Sequence, residues 1–156
     1  VLCYLILVAI SSLIGAFFPS EGAYVAFAVD PAALAHVDGK FGHFFLAAFH
    51  AVRTEPAFLL SFANVAGILT FPSVHAGVAA LCAWAAWPSR PLRLPILTLN
   101  ILMAIGTLPY GAHFLIDVLA GGAVAWLAVH LSGQLIRFFG RRAPTIDTEP
   151  LPAGAA

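Results

Sequence analysis

The sequence predicts an all-α fold, a multi-pass transmembrane helical bundle. Three observations carry that expectation. Hydrophobic residues make up 62% of the 156 positions and charged residues only 9%, whereas a soluble domain carries roughly 25% charged residues to cover its surface. The apolar residues fall into several long runs, and prolines or short polar stretches end each run. Finally, Cys3 and Cys82 stand alone in apolar surroundings, so neither a disulfide framework nor a Cys-x-x-Cys metal site is available. Net charge is zero, which leaves no basic surface for nucleic acid.

The first run, Leu2 to Phe18, is broken only by Ser11, Ser12 and Gly15 and stops at Pro19-Ser20-Glu21-Gly22. At 1.5 Å per residue it reaches about 25 Å, close to a hydrocarbon core of about 30 Å. No small-residue cleavage site follows it, so it reads as a span rather than a signal peptide. The chain opens on Val1 in an apolar run and is read as lacking its N-terminal part. Residues 20–56 hold Glu21, Asp30, His36, Asp38, Lys40, His43, His50, Arg53 and Glu55, and belong outside the hydrocarbon. Within them, Phe41 to Val52 suits a short interfacial helix. Residues 57–70 are apolar but short, with Asn64 in the middle, and read as interfacial or re-entrant.

Val74 to Trp87 is a short helix stopped by Pro88. Pro91 to Leu108 follows, entered through Pro95 and ended at Pro109. Ala112 to Leu131 is the longest uninterrupted run. Residues 1–136 therefore form the membrane domain, with residues 20–70 as its outer polar segment. Residues 137–156 form a tail that begins with Arg137, Arg141 and Arg142 and then becomes disordered.

Charge also orients the bundle. Arg90 and Arg93 lie between the second and third spans, and three arginines follow the last one. Both segments belong in the cytoplasm by the positive-inside tendency. Ser73, His75, His113 and Asp117 then open onto the opposite, extracytoplasmic face of the cell membrane.

These four residues carry the chemistry. His113 and Asp117 are four apart and share one helical face. A carboxylate there can hold one imidazole nitrogen and leave the other nucleophilic. An ionisable group one turn into a membrane is functional by default, although a structural His–Asp pair has the same spacing. Ser73 stands where a helix N-cap belongs, and a helix N-terminus that opens on a polar pocket also receives anions. His75 lies in the first turn of that helix. Gly77, Ala79, Ala80 and Ala83 on one helix, and Ala120, Gly121, Gly122 and Ala125 on the other, allow close approach. Two histidines meeting there have two tasks, attack on phosphorus and protonation of the leaving oxygen.

Phe71-Pro72-Ser73-Val74-His75-Ala76-Gly77 is followed, 38 residues after His75, by His113 in Gly-Ala-His-Phe-Leu-Ile-Asp-Val-Leu-Ala-Gly-Gly. This pair of motifs resembles the type 2 phosphatidic acid phosphatase superfamily, whose bundle is of the haloperoxidase-like kind. The closer likeness is to the inositolphosphotransferase-like branch, related to inositol phosphorylceramide synthase. It covers residues 60–133 well and the first span more loosely. The resemblance implies a metal-independent phosphatase or phosphotransferase, without a cofactor, acting on a lipid phosphate in the bilayer through a phosphohistidine. It further implies His113 as nucleophile, Asp117 as its orienting partner, His75 as the acid, and Ser73 with backbone amides as the phosphate holder.

Two elements of the superfamily pattern are absent. A Ser-Arg pair with its Arg six residues ahead of the second-motif His is replaced by Gly106 and Thr107, and no Lys-x6-Arg-Pro element is found. The inositolphosphotransferase-like branch lacks the Ser-Arg pair as well. Phosphoryl transfer still calls for positive charge, so Arg53 is the first candidate and Lys40 the second; a solvated interfacial arginine is the plain alternative for Arg53. Two rival readings stay open. His75, His113 and Asp117 have the ligand types of a two-His, one-carboxylate metal site. A non-enzymatic lipid-binding or transport protein with a decayed site would also account for the missing arginine. His36, His43 and His50 read as interfacial, His130 as structural, Asn64 and Asn100 as interhelical hydrogen-bonding residues, and Trp84, Trp87 and Trp126 as packing or interface anchors.

Overall fold

A computed structural model describes residues 1–30, 45–57, 69–109 and 113–140 of the chain. Within them the protein is all-helical: α1 (Leu2–Phe17), α2 (Ala23–Ala26), α3 (Leu46–Thr54), α4 (Val74–Ala86), α5 (Arg90–Gly106) and α6 (Leu115–Gly140). The expected re-entrant stretch with Asn64, Lys40, His36, His43 and the tail from residue 141 lie outside the described residues.

α6 has 26 residues and is, among the described residues, the one helix long and apolar enough to cross a membrane. α1 and α4 are apolar but shorter. The helix runs on past Leu131 to Gly140, so Arg137, expected at the head of the tail, is helical. Its guanidinium Nε donates to the Gly133 carbonyl at 3.1 Å, one turn back, as a cation near a helix C-terminus can. Arg90 and Arg93, expected in a loop, instead open α5 behind the Ser89 N-cap, with a proline in the first turn. Asn100 differs from expectation too. Its Nδ2 donates to the Ile96 carbonyl at 2.7 Å and so satisfies its own helix rather than a neighbour.

α1 packs on α6 and α4, and α4 also packs on α5. α1 is antiparallel to α6, because Cys3 at its start contacts Ser132 late in α6 (3.0 Å). The core is small: Leu7 with Val124, Ala125 and Ala128, flanked by Ile6, Ile10, Ile14, Val78, Ala80 and Leu81. Its alanines, Ala80, Ala125 and Ala128, let the helices approach closely. The apolar residues of α5, among them Leu94, Leu99, Leu102 and Ile105, are exposed. That is the distribution of a helix whose apolar face looks outward rather than into a core.

α4 and α6 are parallel and cross at their N-terminal ends. Gly121 is the contact point: a Cβ placed there would lie 2.2 Å from the Ser73 carbonyl oxygen and 3.2 Å from the Gly77 nitrogen. A Cβ on Gly77 would lie 2.7 Å from Leu7 Cδ1 and 3.1 Å from the Gly121 oxygen. Beyond the crossing the two helices leave a cleft of about 410 Å³ whose walls include Trp84, Trp126 and His130. Gly122 lines that cleft and has nothing within 4 Å of its own Cβ position.

The two adjacent glycines therefore give a sharp comparison. Gly121→Ala forces backbone apart and should cost at least the 1–3 kcal/mol typical, roughly, of overpacking. Gly122→Ala has room and should be neutral or gain up to about 1 kcal/mol of helix propensity. Thermal unfolding of both variants in mild detergent reads the difference directly.

Candidate active site

Four side chains named from the sequence meet at the end of the bundle where α4 and α6 begin. Ser73 is the α4 N-cap, and its Oγ accepts from the Ala76 amide at 3.3 Å. The cap satisfies one of the donors that a helix start leaves free. The Ser73 amide itself donates across to the Asp117 carbonyl at 3.0 Å, tying the two helix starts together through backbone. Gly121, lacking a side chain, permits that approach.

Asp117 is the third residue of α6, and its Oδ2 accepts from the Phe114 amide at 2.8 Å. That is the reach-back half of a capping box, made here by an aspartate. It is 1% exposed. A buried carboxylate is tolerated where it is hydrogen-bonded and where a helix N-terminus places positive potential, and both hold here.

His113 immediately precedes that turn and is 7% exposed. Its two nitrogens face different partners. Nδ1 lies 3.5 Å from Asp117 Oδ2, in ion-pair range, and makes no hydrogen bond. Nε2 lies 3.4 Å from Ser73 Oγ. Catalytic hydrogen bonds are commonly this long before substrate arrives and tighten in the complex. The imidazole thus has a carboxylate on one side and a capped helix N-terminus on the other. His75 sits across from it, exposed, with ring centroids 6.3 Å apart and planes at 64°. Two imidazoles at that separation, beside the unpartnered first-turn amides of α4, suit an anion placed between them.

Arg53 is not brought to this group. Its Nη1 donates to the Phe49 carbonyl at 3.0 Å, and its guanidinium lies 3.7 Å above the Phe49 ring. It is exposed on α3 and occupied with its own helix, as a solvated interfacial arginine would be. Among the described residues no Lys or Arg side chain hydrogen-bonds to Ser73, His75, His113 or Asp117. Thr107, which stands where a motif arginine was sought, donates to the Ala104 carbonyl of its own helix at 2.7 Å. Nor do the described residues contain a group of three His, Cys, Asp or Glu side chains arranged to hold a metal ion. The metal reading is left without a preassembled ligand set.

Outside the site, His50 pairs loosely with Glu21 (3.7 Å, both well exposed). His130 lies against the Trp126 ring, 4.2 Å between centroids. Two contributors are not named by any sequence motif. One is the Ser73-to-Asp117 backbone bond. The other is the α2 region, where Tyr24 and Phe27 reach Pro109 and Phe114. Only the run of small residues around Gly121 signalled the first.

The family model described as the PAP2 superfamily matches residues 1–131. The chain belongs to that superfamily, and membership supports a phosphatase-type activity, of the phosphoric ester hydrolase kind. No curated protein and no solved structure gives a significant match.

The cap and the reach-back bond can be weighed separately from any chemistry. Ser73→Ala should lose about 1 kcal/mol, the usual worth of an N-cap. Asp117→Ala leaves the half-buried Phe114 amide without its acceptor and should lose about 1 kcal/mol. Asp117→Asn, which keeps an oxygen acceptor, should fall between wild type and Asp117→Ala in a thermal melt.

Proposed function

We propose that this PAP2-superfamily chain is an integral, multi-pass membrane enzyme that cleaves or transfers a lipid-linked phosphate through a phosphohistidine. The observation that carries this reading is the placement of His113. Its Nδ1 faces Asp117, its Nε2 faces the Ser73 N-cap, and His75 stands across from it. His113 Nε2 attacks phosphorus, and the bond from phosphorus to the lipid alkoxide oxygen breaks. His75, protonated, gives that oxygen its proton. Asp117 holds Nδ1 and balances the charge that the ring acquires. In the second half, His75 takes a proton from the incoming hydroxyl, whose oxygen displaces His113 from phosphorus. If that hydroxyl is water the product is phosphate. If it is a polyol such as an inositol, the product is a new phosphate ester, as the inositolphosphotransferase-like motifs suggest.

Transition-state charge needs a counterpart. The α4 N-terminus supplies part of it. The Val74 and His75 amides have no intrahelical acceptor, as at any helix start, and the helix dipole adds roughly half a positive charge. Ser73 Oγ and these amides hold the phosphate oxygens. Lys40 remains a candidate for the cation. Arg53 would have to leave Phe49 to serve. The apolar length of α6 and the exposed apolar face of α5 support a site that opens at a bilayer surface, with Arg90, Arg93 and Arg137 at the opposite, cytoplasmic side.

The roles separate by leaving group. His113→Ala should abolish turnover of lipid phosphate and aryl phosphate alike. His75→Ala should lose roughly 10²–10⁴-fold on a lipid phosphate, the usual range for general acid catalysis, and much less on an aryl phosphate whose phenolate leaves unaided. Equal losses on both substrates would remove His75 from the acid role. Full activity of His113→Ala would remove the mechanism, and no turnover by the wild-type chain would favour a lipid-binding protein.

A further inference from the structure

We propose that the turn carrying Tyr24 and Phe27 is a clasp that positions His113 by holding the chain on both sides of it. The Tyr24 hydroxyl donates to the carbonyl of Pro109, four residues before His113. The Phe27 ring packs edge-to-face on Phe114, the residue after His113, with centroids 5.8 Å apart at 64°. Phe114 is also the residue whose amide Asp117 captures. One short segment therefore grips both flanks of His113, across 85 residues of sequence.

The segment is shaped for that grip. α2 is a single turn whose end is closed by bonds from the Phe27 amide to the Ala23 carbonyl and from the Ala28 amide to the Val25 carbonyl. Gly22 and Ala28 bracket it at φ 85° and 47°. An alanine rarely adopts a left-handed conformation without something holding it, and the Phe27–Phe114 contact lies beside it. Phe27 is 73% exposed, so its ring adds little to any core. Its one described aromatic partner is Phe114. Packed on the residue that follows the candidate nucleophile, the Phe27 ring acts on the position of that nucleophile. Tyr24 and Phe27 are positioning residues rather than catalytic ones. They act through Pro109 and Phe114.

The catalytic consequence rests on His113 being the reactive group, as proposed above. The clasp itself is geometric and can be read without turnover. The purified full chain in mild detergent is treated with diethyl pyrocarbonate, and carbethoxylation is followed histidine by histidine by peptide mass spectrometry. His113 is buried and His130 is exposed, so His130 serves as the internal reference. Phe27→Ala removes an aromatic pair and should raise the His113 rate roughly two- to tenfold. Tyr24→Phe removes one hydrogen bond and should raise it by a similar factor. The His130 rate should stay unchanged in both, and Phe27→Tyr should restore wild-type protection. His113 rates equal to wild type in both variants would overturn the clasp, as would an equal rise at His130, which reports general loosening. In parallel, kcat should fall roughly tenfold or more with KM little changed, since small displacements of a reacting group are costly. Faster labelling of His113 with unchanged kcat, together with an active His113→Ala, would uphold the clasp and overturn the nucleophile.

Discussion

Where α4 and α6 cross, the Ser73 amide donates to the Asp117 carbonyl, and Gly121 leaves room for it. That contact is short because it is backbone against backbone. It sets two parallel helices with their N-termini side by side. Each helix start leaves amide donors free, and each attracts negative charge. The protein uses the two ends differently. The α6 end takes the Asp117 carboxyl group on the Phe114 amide. The α4 end takes only the neutral Ser73 hydroxyl, on the Ala76 amide, and keeps its remaining first-turn donors available.

The imidazole of His113 lies between these ends, and its tautomer follows from them. A carboxylate on the Nδ1 side favours the proton there, which leaves Nε2 with its lone pair toward Ser73. The same arrangement accounts for the burial of Asp117. A carboxylate shielded from water is costly unless it has hydrogen bonds and opposing charge. Here the Phe114 amide supplies the hydrogen bond and the α6 N-terminus the opposing charge.

Much of this was legible in the residues. The low charge content and the proline-bounded runs anticipated α1, α4 and α5 to within one or two residues. The spacing of His113 and Asp117, the cap character of Ser73 and the glycine-rich stretch at 121 anticipated which groups meet. Periodicity could not fix where the last helix ends. Leu131 closes the apolar run, but Ser132, Gly133, Gln134 and Arg137 are compatible with a helix and simply continue it to Gly140. Asn100 was misassigned because an amide side chain has a local acceptor one turn back as well as any neighbour's. Arg53 was chosen by elimination, and its guanidinium is held by Phe49 within one helical turn. The Tyr24 and Phe27 contacts carry no sequence signal, since nothing at residues 24 and 27 announces a partner so far along the chain.

The central claim is that His113 carries phosphate covalently during turnover. Rapid quenching of the purified chain with a lipid phosphate labelled on phosphorus, followed by peptide mapping, tests it most directly. The account requires label on the peptide containing His113, stable in base and lost in acid, and none in His113→Ala. Label on another residue, or steady turnover with no trapped phosphate under any quench, would contradict it.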